Sequence, residues 1–221
     1  FVDRFDANSY ITLSTAVDYF DLGETINEIK NNLKETTCEW LLVSFSSDWL
    51  YPPFQSEEIV NALVSLDKSV SYCSINSEAG HDAFLLENEV EDYGLLTSSF
   101  LKKLSGKEKN HQIKNSDPTS TNIFFNNRLD LDFICSLVEE NDRVLDLGCE
   151  DGKLLNELKK KKCSKLLGIE LDAKKVIISS NKGIEVINSD INTGLKRFND
   201  NQFDVTILSQ TLQSIKNVEK T

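Results

Sequence analysis

Methionine is absent from all 221 residues, and histidine occurs only as His81 and His111. Two histidines argue against a histidine-built metal centre. The five cysteines (Cys38, Cys73, Cys135, Cys149 and Cys163) are scattered, odd in number and without a CxxC pair. That usage predicts reduced thiols and a cytoplasmic setting, not a disulfide framework or a zinc site. No apolar run approaches the roughly 18–20 residues of a membrane span, and the opening residues do not read as a signal peptide. Basic charge is scarce: 24 Lys and Arg stand against 36 Asp and Glu, for a net charge of −12. A general nucleic-acid binder needs the opposite balance. No G-x-S-x-G string occurs. The chain opens at Phe1 without an initiator, so it is expected to be a piece of a longer protein.

What is present is an apolar fraction of 39%, enough for packed cores in one or two domains. From Leu41 to Leu86 the pattern alternates strand and helix. The apolar run ending at Phe45 gives a strand over Trp40–Phe45. Gln55–Leu66 carries helical spacing at Ile59, Leu63 and Leu66, and Val70–Ile75 is a second strand. Asp48 falls just past the first strand, and His81 follows Gly80 in the loop after the second, at the start of another helix. Strand carboxyl ends share one edge of an open α/β sheet, where ligands and catalytic groups gather. The acid and the histidine are therefore expected side by side. An acid followed by a histidine one βαβ step later is also the second half of a Ser…Asp…His triad. From the pattern alone, a turn-forming Asp48 and a loop His81 explain the residues as well.

Upstream, Asn8 is the expected N-cap of a helix over Ser9–Leu22, with Ile11, Leu13, Val17 and Phe20 as apolar contacts and Gly23 as the stop. Thr25–Lys34 reads as a second helix. Downstream, Asp82–Glu87 and Val90–Leu104 read as helix, with Glu87, Glu89, Glu91 and Asp92 on a solvated face. Ser105–Thr121 is polar and reads as a linker.

After it, Leu129–Val138 is a helix and Arg143–Leu147 a strand running into Gly148-Cys149-Glu150-Asp151-Gly152 and the helix Lys153–Lys160. A strand, a glycine turn and a helix open a nucleotide-binding βαβ unit. The strand Leu166–Ile169 ends at Glu170, where a carboxylate suits a ribose diol. Glu185–Asn188 ends at Asp190, and Phe203–Leu208 is a fourth strand.

The strings RFDANSYITLSTAVDYFDLG (Arg4–Gly23), SSDWLYPPFQSEEIVNAL (Ser46–Leu63) and AGHDAFLLE (Ala79–Glu87) resemble the carboxyl-terminal part of homoserine O-acetyltransferase. That resemblance implies an α/β-hydrolase sheet. It makes Asp48 the triad acid, His81 the base and Asp82 a contact to L-homoserine. Acetyl-CoA would be the acyl donor, with succinyl-CoA the alternative, and the assembly a homodimer. The nucleophilic serine is expected upstream of Phe1. The strings RVLDLGCEDGKLLNEL, GIELD and VINSDINTGLKRF…FDVTILSQTLQSI resemble the methionine-biosynthesis protein W family, whose fold is that of Rossmann-like class I methyltransferases. By that resemblance Asp146, Gly148, Gly152, Glu170 and Asp190 would surround S-adenosylmethionine. One departure stands out: the family usually has glycine where this chain has Glu150. A positive φ there would strain a glutamate, and its carboxylate would crowd or repel the cofactor. The expected organisation is therefore the end of an α/β-hydrolase sheet over 1–104, a linker over 105–122 and an incomplete methyltransferase-fold domain over 123–221. The second unit is expected to act as a methyltransferase or as a non-catalytic activator.

Overall fold

The protein is described from a computed structural model at residues 6–106, 129–209, 211 and 215. Six parallel strands form one sheet. They are β1 (Trp40–Phe45), β2 (Val70–Ile75), β3 (Arg143–Leu147), β4 (Lys165–Glu170), β5 (Glu185–Asn188) and β6 (Val205–Ile207), in the order β1-β2-β5-β4-β3-β6. The helices are α1 (Ala7–Asp18), α2 (Ile26–Leu33), α3 (Pro53–Ser65), α4 (Glu87–Leu104), α5 (Leu129–Leu137), α6 (Lys153–Lys159), α7 (Ala173–Asn181) and the single turn α8 (Ile191–Gly194).

The winding explains which face each helix covers. β1 to β2 steps one way across the sheet, while β3 to β4 to β5 steps the other. Crossovers of one hand then place α3 on one face and α6 and α7 on the opposite face. The two cores follow. Val60, Leu63, Tyr72, Leu145 and Ile169 lie on the α2–α3 side, and Cys73, Leu96, Val144, Leu155, Leu158 and Val176 on the other. Leu63, Leu155 and Leu158 are fully buried, and truncating any one to alanine would cost about 2–5 kcal/mol.

β2 joins β5 through the register pair Tyr72–Ile187, extended by the Ser74 amide donating to Asn188 Oδ1 at 3.3 Å. Further bonds tie the two halves. Gln202 Nε2 donates to the Val64 carbonyl (2.8 Å) and Asn199 Nδ2 to that of Ser65 (2.7 Å). The Lys103 ammonium spans Glu39 and Glu185 at 2.6 and 2.9 Å.

Several local expectations are corrected. The cap of α1 is Asp6, not Asn8: its carboxylate accepts the amides of Asn8 and Ser9, so the helix begins at Ala7 and ends at Asp18. Ile11, Leu13, Val17 and Phe20 make no core, because nothing among the described residues covers them and all four are exposed apart from their own helix. Tyr10 is exposed with them. Gly23 serves the turn into α2 instead, at φ +128, where a Cβ would meet Glu28 Cβ at 2.6 Å. Thr25 and Glu28 close that turn with a capping box. Around His81 the chain forms a 3₁₀ helix, Gly80–Leu85, and α4 starts anew at Glu87. Glu89 is not simply solvated, since it accepts the Ser77 hydroxyl at 2.9 Å. Residues 107–122, which hold most of the expected linker and His111, lie outside the described residues, as does Arg4.

Candidate active site

Two loops at the carboxyl edge of β1 and β2 build the first cluster. After Phe45 the chain turns, and the Ser46 amide stays paired to the Ile75 carbonyl at 2.9 Å. The Ser46 hydroxyl accepts the Ser77 amide (3.0 Å), and the Ser47 hydroxyl accepts the Gly80 amide (2.8 Å). Ser77 in turn accepts the Ala79 amide at 3.1 Å and donates to Glu89. These bonds fix the separation of the two loops. Gly80 takes φ +69 at the bend, a conformation that glycine adopts without strain.

That spacing brings Asp48 and His81 together. His81 Nδ1 lies 3.1 Å from Asp48 Oδ2, while Asp48 Oδ1 accepts the amides of Leu50 and Tyr51, each at 2.9 Å. An ionised carboxylate only accepts hydrogen bonds, so the shared proton belongs on Nδ1 and the neutral ring keeps its lone pair on Nε2. Asp48 is buried at 9% exposure. Burial pushes its carboxyl upward, but the Tyr51 amide, His81 and the Leu50 amide outweigh it, and Asp48 is held below the usual aspartate range. The imidazole is about one-third exposed. Tyr51 and Phe84 flank it at ring-centroid distances of 5.3 and 5.7 Å. Trp49, Leu50, Tyr51 and Phe84 are exposed around it, so the pair sits in an apolar rim. Asp82 is exposed, with no hydrogen bond to its carboxylate among the described residues. An imidazole held in this way can accept a proton at Nε2, and no hydroxyl among the described residues bonds that nitrogen.

The second cluster lies at the carboxyl ends of β3, β4 and β5. Gly148 and Gly152 bend the turn at φ +80 and +69, and a Cβ at Gly148 would strike Thr211 Oγ1 at 2.6 Å. Glu150 does take a left-handed conformation, φ 49, and its carboxylate turns outward to Lys175 at 3.4 Å. Glu170 is buried, and its two oxygens accept the amides of Glu150 and Asp172, each at 2.9 Å. Asp190 caps α8 through the Asn192 amide. Asp146 is 3% exposed. Burial, then the charges of Glu170 and Glu150, push its carboxyl up to about 7. So Asp146, Gly148, Gly152 and Glu170 converge on one turn, closed by its own backbone, with Asp190 at the end of the next-but-one strand. Among the described residues no group of three or more His, Cys, Asp or Glu could hold a metal ion, and no helix is long and apolar enough to cross a membrane.

The sequence did not point to a cavity of about 570 Å³ between α2, α3 and the segment from Asn188 to Asn199, which includes Lys30, Asn61 and Arg197. These residues come from distant stretches with no common motif, so only the fold assembles them.

Residues 128–221 match the family model "Methionine biosynthesis protein MetW". The chain is 42% identical over 226 aligned residues to the bifunctional methionine biosynthesis protein MetXA/MetW of Rhodopirellula baltica, an alignment covering 99% of this chain and 34% of that protein. It is 51% identical over 92 residues to the homoserine O-acetyltransferase of Leptospira biflexa, covering 42% of this chain and 24% of the relative. A homoserine O-succinyltransferase of a Marinomonas species is 44% identical over 108 residues, covering 48% of this chain and 28% of the relative. The chain thus spans about a third or less of the length of these relatives. Over nearly its whole length it is similar to part of a bifunctional MetXA/MetW protein, and its residues 128–221 match the MetW family model.

Proposed function

We propose that residues 1–104 are the carboxyl-terminal part of a homoserine O-acetyltransferase, joined by the segment 105–122 to a partner unit over 123–221. The observation that carries this reading is the Asp48–His81 pair, 3.1 Å apart, a contact that calls for the proton on Nδ1. In the complete enzyme, His81 Nε2 takes the proton of a serine hydroxyl supplied by another part of the acyltransferase. That oxygen attacks the acetyl-CoA thioester, and the imidazolium returns the proton to the departing coenzyme A thiolate. In the second half, Nε2 takes the proton of the L-homoserine hydroxyl, which attacks the acyl-serine. The serine oxygen leaves and recovers the proton. Asp48 keeps the ring in the working tautomer and stabilises its cation, and Asp82 meets the homoserine ammonium. Succinyl-CoA is the alternative donor.

For the second unit, the residues do not fit S-adenosylmethionine as they stand. Glu150 puts a side chain in a left-handed conformation where the resembled family has glycine, and Thr211 lies against Gly148 at the turn that would receive the cofactor. No step is routed through that cofactor. The pairing of β5 with β2, the strand that leads to His81, favours a non-catalytic activator.

One experiment tests both assignments: mass-spectrometric detection of acylated homoserine made by the complete protein, with and without residues 123–221. O-acetylhomoserine is expected from acetyl-CoA, several-fold less of it without the second unit, and none from the 221-residue chain alone, which has no G-x-S-x-G serine. Absence of both acetyl and succinyl products from the complete protein would overturn the acyltransferase reading. An unchanged rate after deletion would exclude activation.

Ser47 positions the His81 loop through the Gly80 amide. Ser47→Ala in the complete protein should lower kcat about 2–10-fold, the worth of one such bond, with KM little changed. Ser47→Thr, which keeps the hydroxyl, should restore it. Equal kcat in Ser47→Ala would show that the bond does not hold the catalytic geometry.

A further inference from the structure

The 570 Å³ cavity opens at the carboxyl ends of β2 and β5, where Ser74, Asn188 and Ser189 form its floor. Beyond those two strands the chain leaves to opposite faces. α4 packs with the Leu96 side of the core, and Ile191 and Leu195 pack with the α3 side. A crevice between connections that diverge in this way is where open α/β sheets hold ligands, and this volume is that of a small-molecule site. It reaches Asp190 but not Gly148, Gly152 or Glu170, so it is distinct from the glycine turn.

Its walls carry polar groups that the fold does not satisfy. Arg197 donates from Nε to the Gly194 carbonyl (2.7 Å) and from Nη2 to Ser189 Oγ (2.9 Å), but buried Nη1 has no hydrogen-bond partner among the described residues. Asn61 Oδ1, on the facing helix α3, is likewise buried without one. Leaving a buried group in that state is costly, and more so when it is charged. No carboxylate among the described residues forms an ion pair with Arg197. Glu57 lies close enough to oppose the downward effect of burial on the guanidinium without bonding it. Lys30 and Lys196, also lining the cavity, form no ion pair among the described residues either. The site therefore offers Arg197 and Lys196 from the segment between Asn188 and Asn199 and Lys30 from α2 as cations, and an amide acceptor with the Glu57 carboxylate from α3. Ile26 and Leu171 are its apolar lining.

We propose that this cavity binds a small α-amino acid with an uncharged aliphatic side chain. Its carboxylate is held by Arg197 and the lysines, its ammonium by Asn61 and Glu57, and its side chain lies against Ile26 and Leu171. The site joins the two halves of the sheet, so its ligand clamps α2 and α3 to the segment from Asn188 to Asn199. The proposal is independent of the acyltransferase reading.

The test is thermal unfolding of the 221-residue protein with each of the twenty standard L-amino acids and L-homoserine at 10 mM, and with acetate as a carboxylate-only control. At least one aliphatic member should raise the midpoint by about 3 °C or more, as for a ligand far above its Kd on a chain of this size. Acetate should not. Calorimetry should then show at least a tenfold loss of affinity in Asn61→Leu and in Lys30→Met, two changes outside the Arg197 hydrogen bonds. Glu150→Gly on the glycine turn should bind as the parent does. A panel with no shift would overturn the proposal. So would an equal shift with acetate, or undiminished affinity in both Asn61→Leu and Lys30→Met.

Discussion

Asp48→Asn in the complete protein should lower kcat for acyl transfer by about 10³–10⁴ while leaving the fold intact. The magnitude is that of the same change in serine-protease triads, and the geometry gives the reason. Asp48 Oδ1 is occupied by the amides of Leu50 and Tyr51, so the amide oxygen of an asparagine would take that place and its NH₂ would face His81 Nδ1. A donor opposite Nδ1 selects the tautomer with the proton on Nε2, and the base is lost. The variant keeps the two backbone bonds, so its far-UV circular dichroism should match the parent. Stability should change mainly at low pH. The ionised Asp48 carboxylate, held below its ordinary range, stabilises the native state above the unfolded value near 3.8. That contribution disappears as pH falls through the lowered native value, and the variant lacks it at every pH. A kcat within tenfold of the parent would mean that Asp48 does not orient His81.

Asp146→Asn should change the pH dependence of stability more than any other single substitution in the second half. Asp146 is buried in β3 with a carboxyl pushed from 3.8 up to about 7, by burial first and by Glu170 and Glu150 after it. The sign follows from proton counting. Between about 4 and 7 the native state holds a proton that the unfolded chain has released, so stability falls as pH rises through that window. The loss approaches roughly 4 kcal/mol above pH 7, at about 1.4 kcal/mol for each pH unit between the unfolded and native values. For a chain of this length that corresponds to about 10 °C of unfolding midpoint. Asparagine keeps the shape and does not titrate. From pH 5 to 8 the parent's midpoint should therefore fall by several degrees more than the variant's. Parallel profiles would show that Asp146 is ionised in the native state without penalty.

Much of the first half could be read from sequence because its signals are local. The runs WLLVSF and VSYCSI give β1 and β2 to the residue, and Arg143–Leu147 and Glu185–Asn188 are equally clear, since buried parallel strands are dense in branched and aromatic side chains. Asp48 and His81 meet because the carboxyl edge of a parallel sheet collects successive loops. The positive φ of Glu150 agrees with the resemblance, which has glycine at that position. Features that depend on distant partners were not legible. The apolar positions of α1 have helical spacing, yet no described element covers them, so periodicity overstated their burial. Asp6 won the cap from Asn8 because its carboxylate takes two amides and the Ser9 hydroxyl together. The union of β2 with β5 rests on one register pair and on side-chain bonds between residues more than a hundred positions apart. Arg197 and Asn61 line one cavity at that same junction, and the strings that hold them give no sign of it.

The most direct measurement of the central claim is coenzyme A release by the complete protein, with L-homoserine and acetyl-CoA, beside a His81→Ala variant. The Asp48–His81 assignment predicts homoserine-dependent release in the parent and its collapse by at least about 10³-fold in the variant. Homoserine-dependent release that survives in His81→Ala would contradict it, and place the base elsewhere.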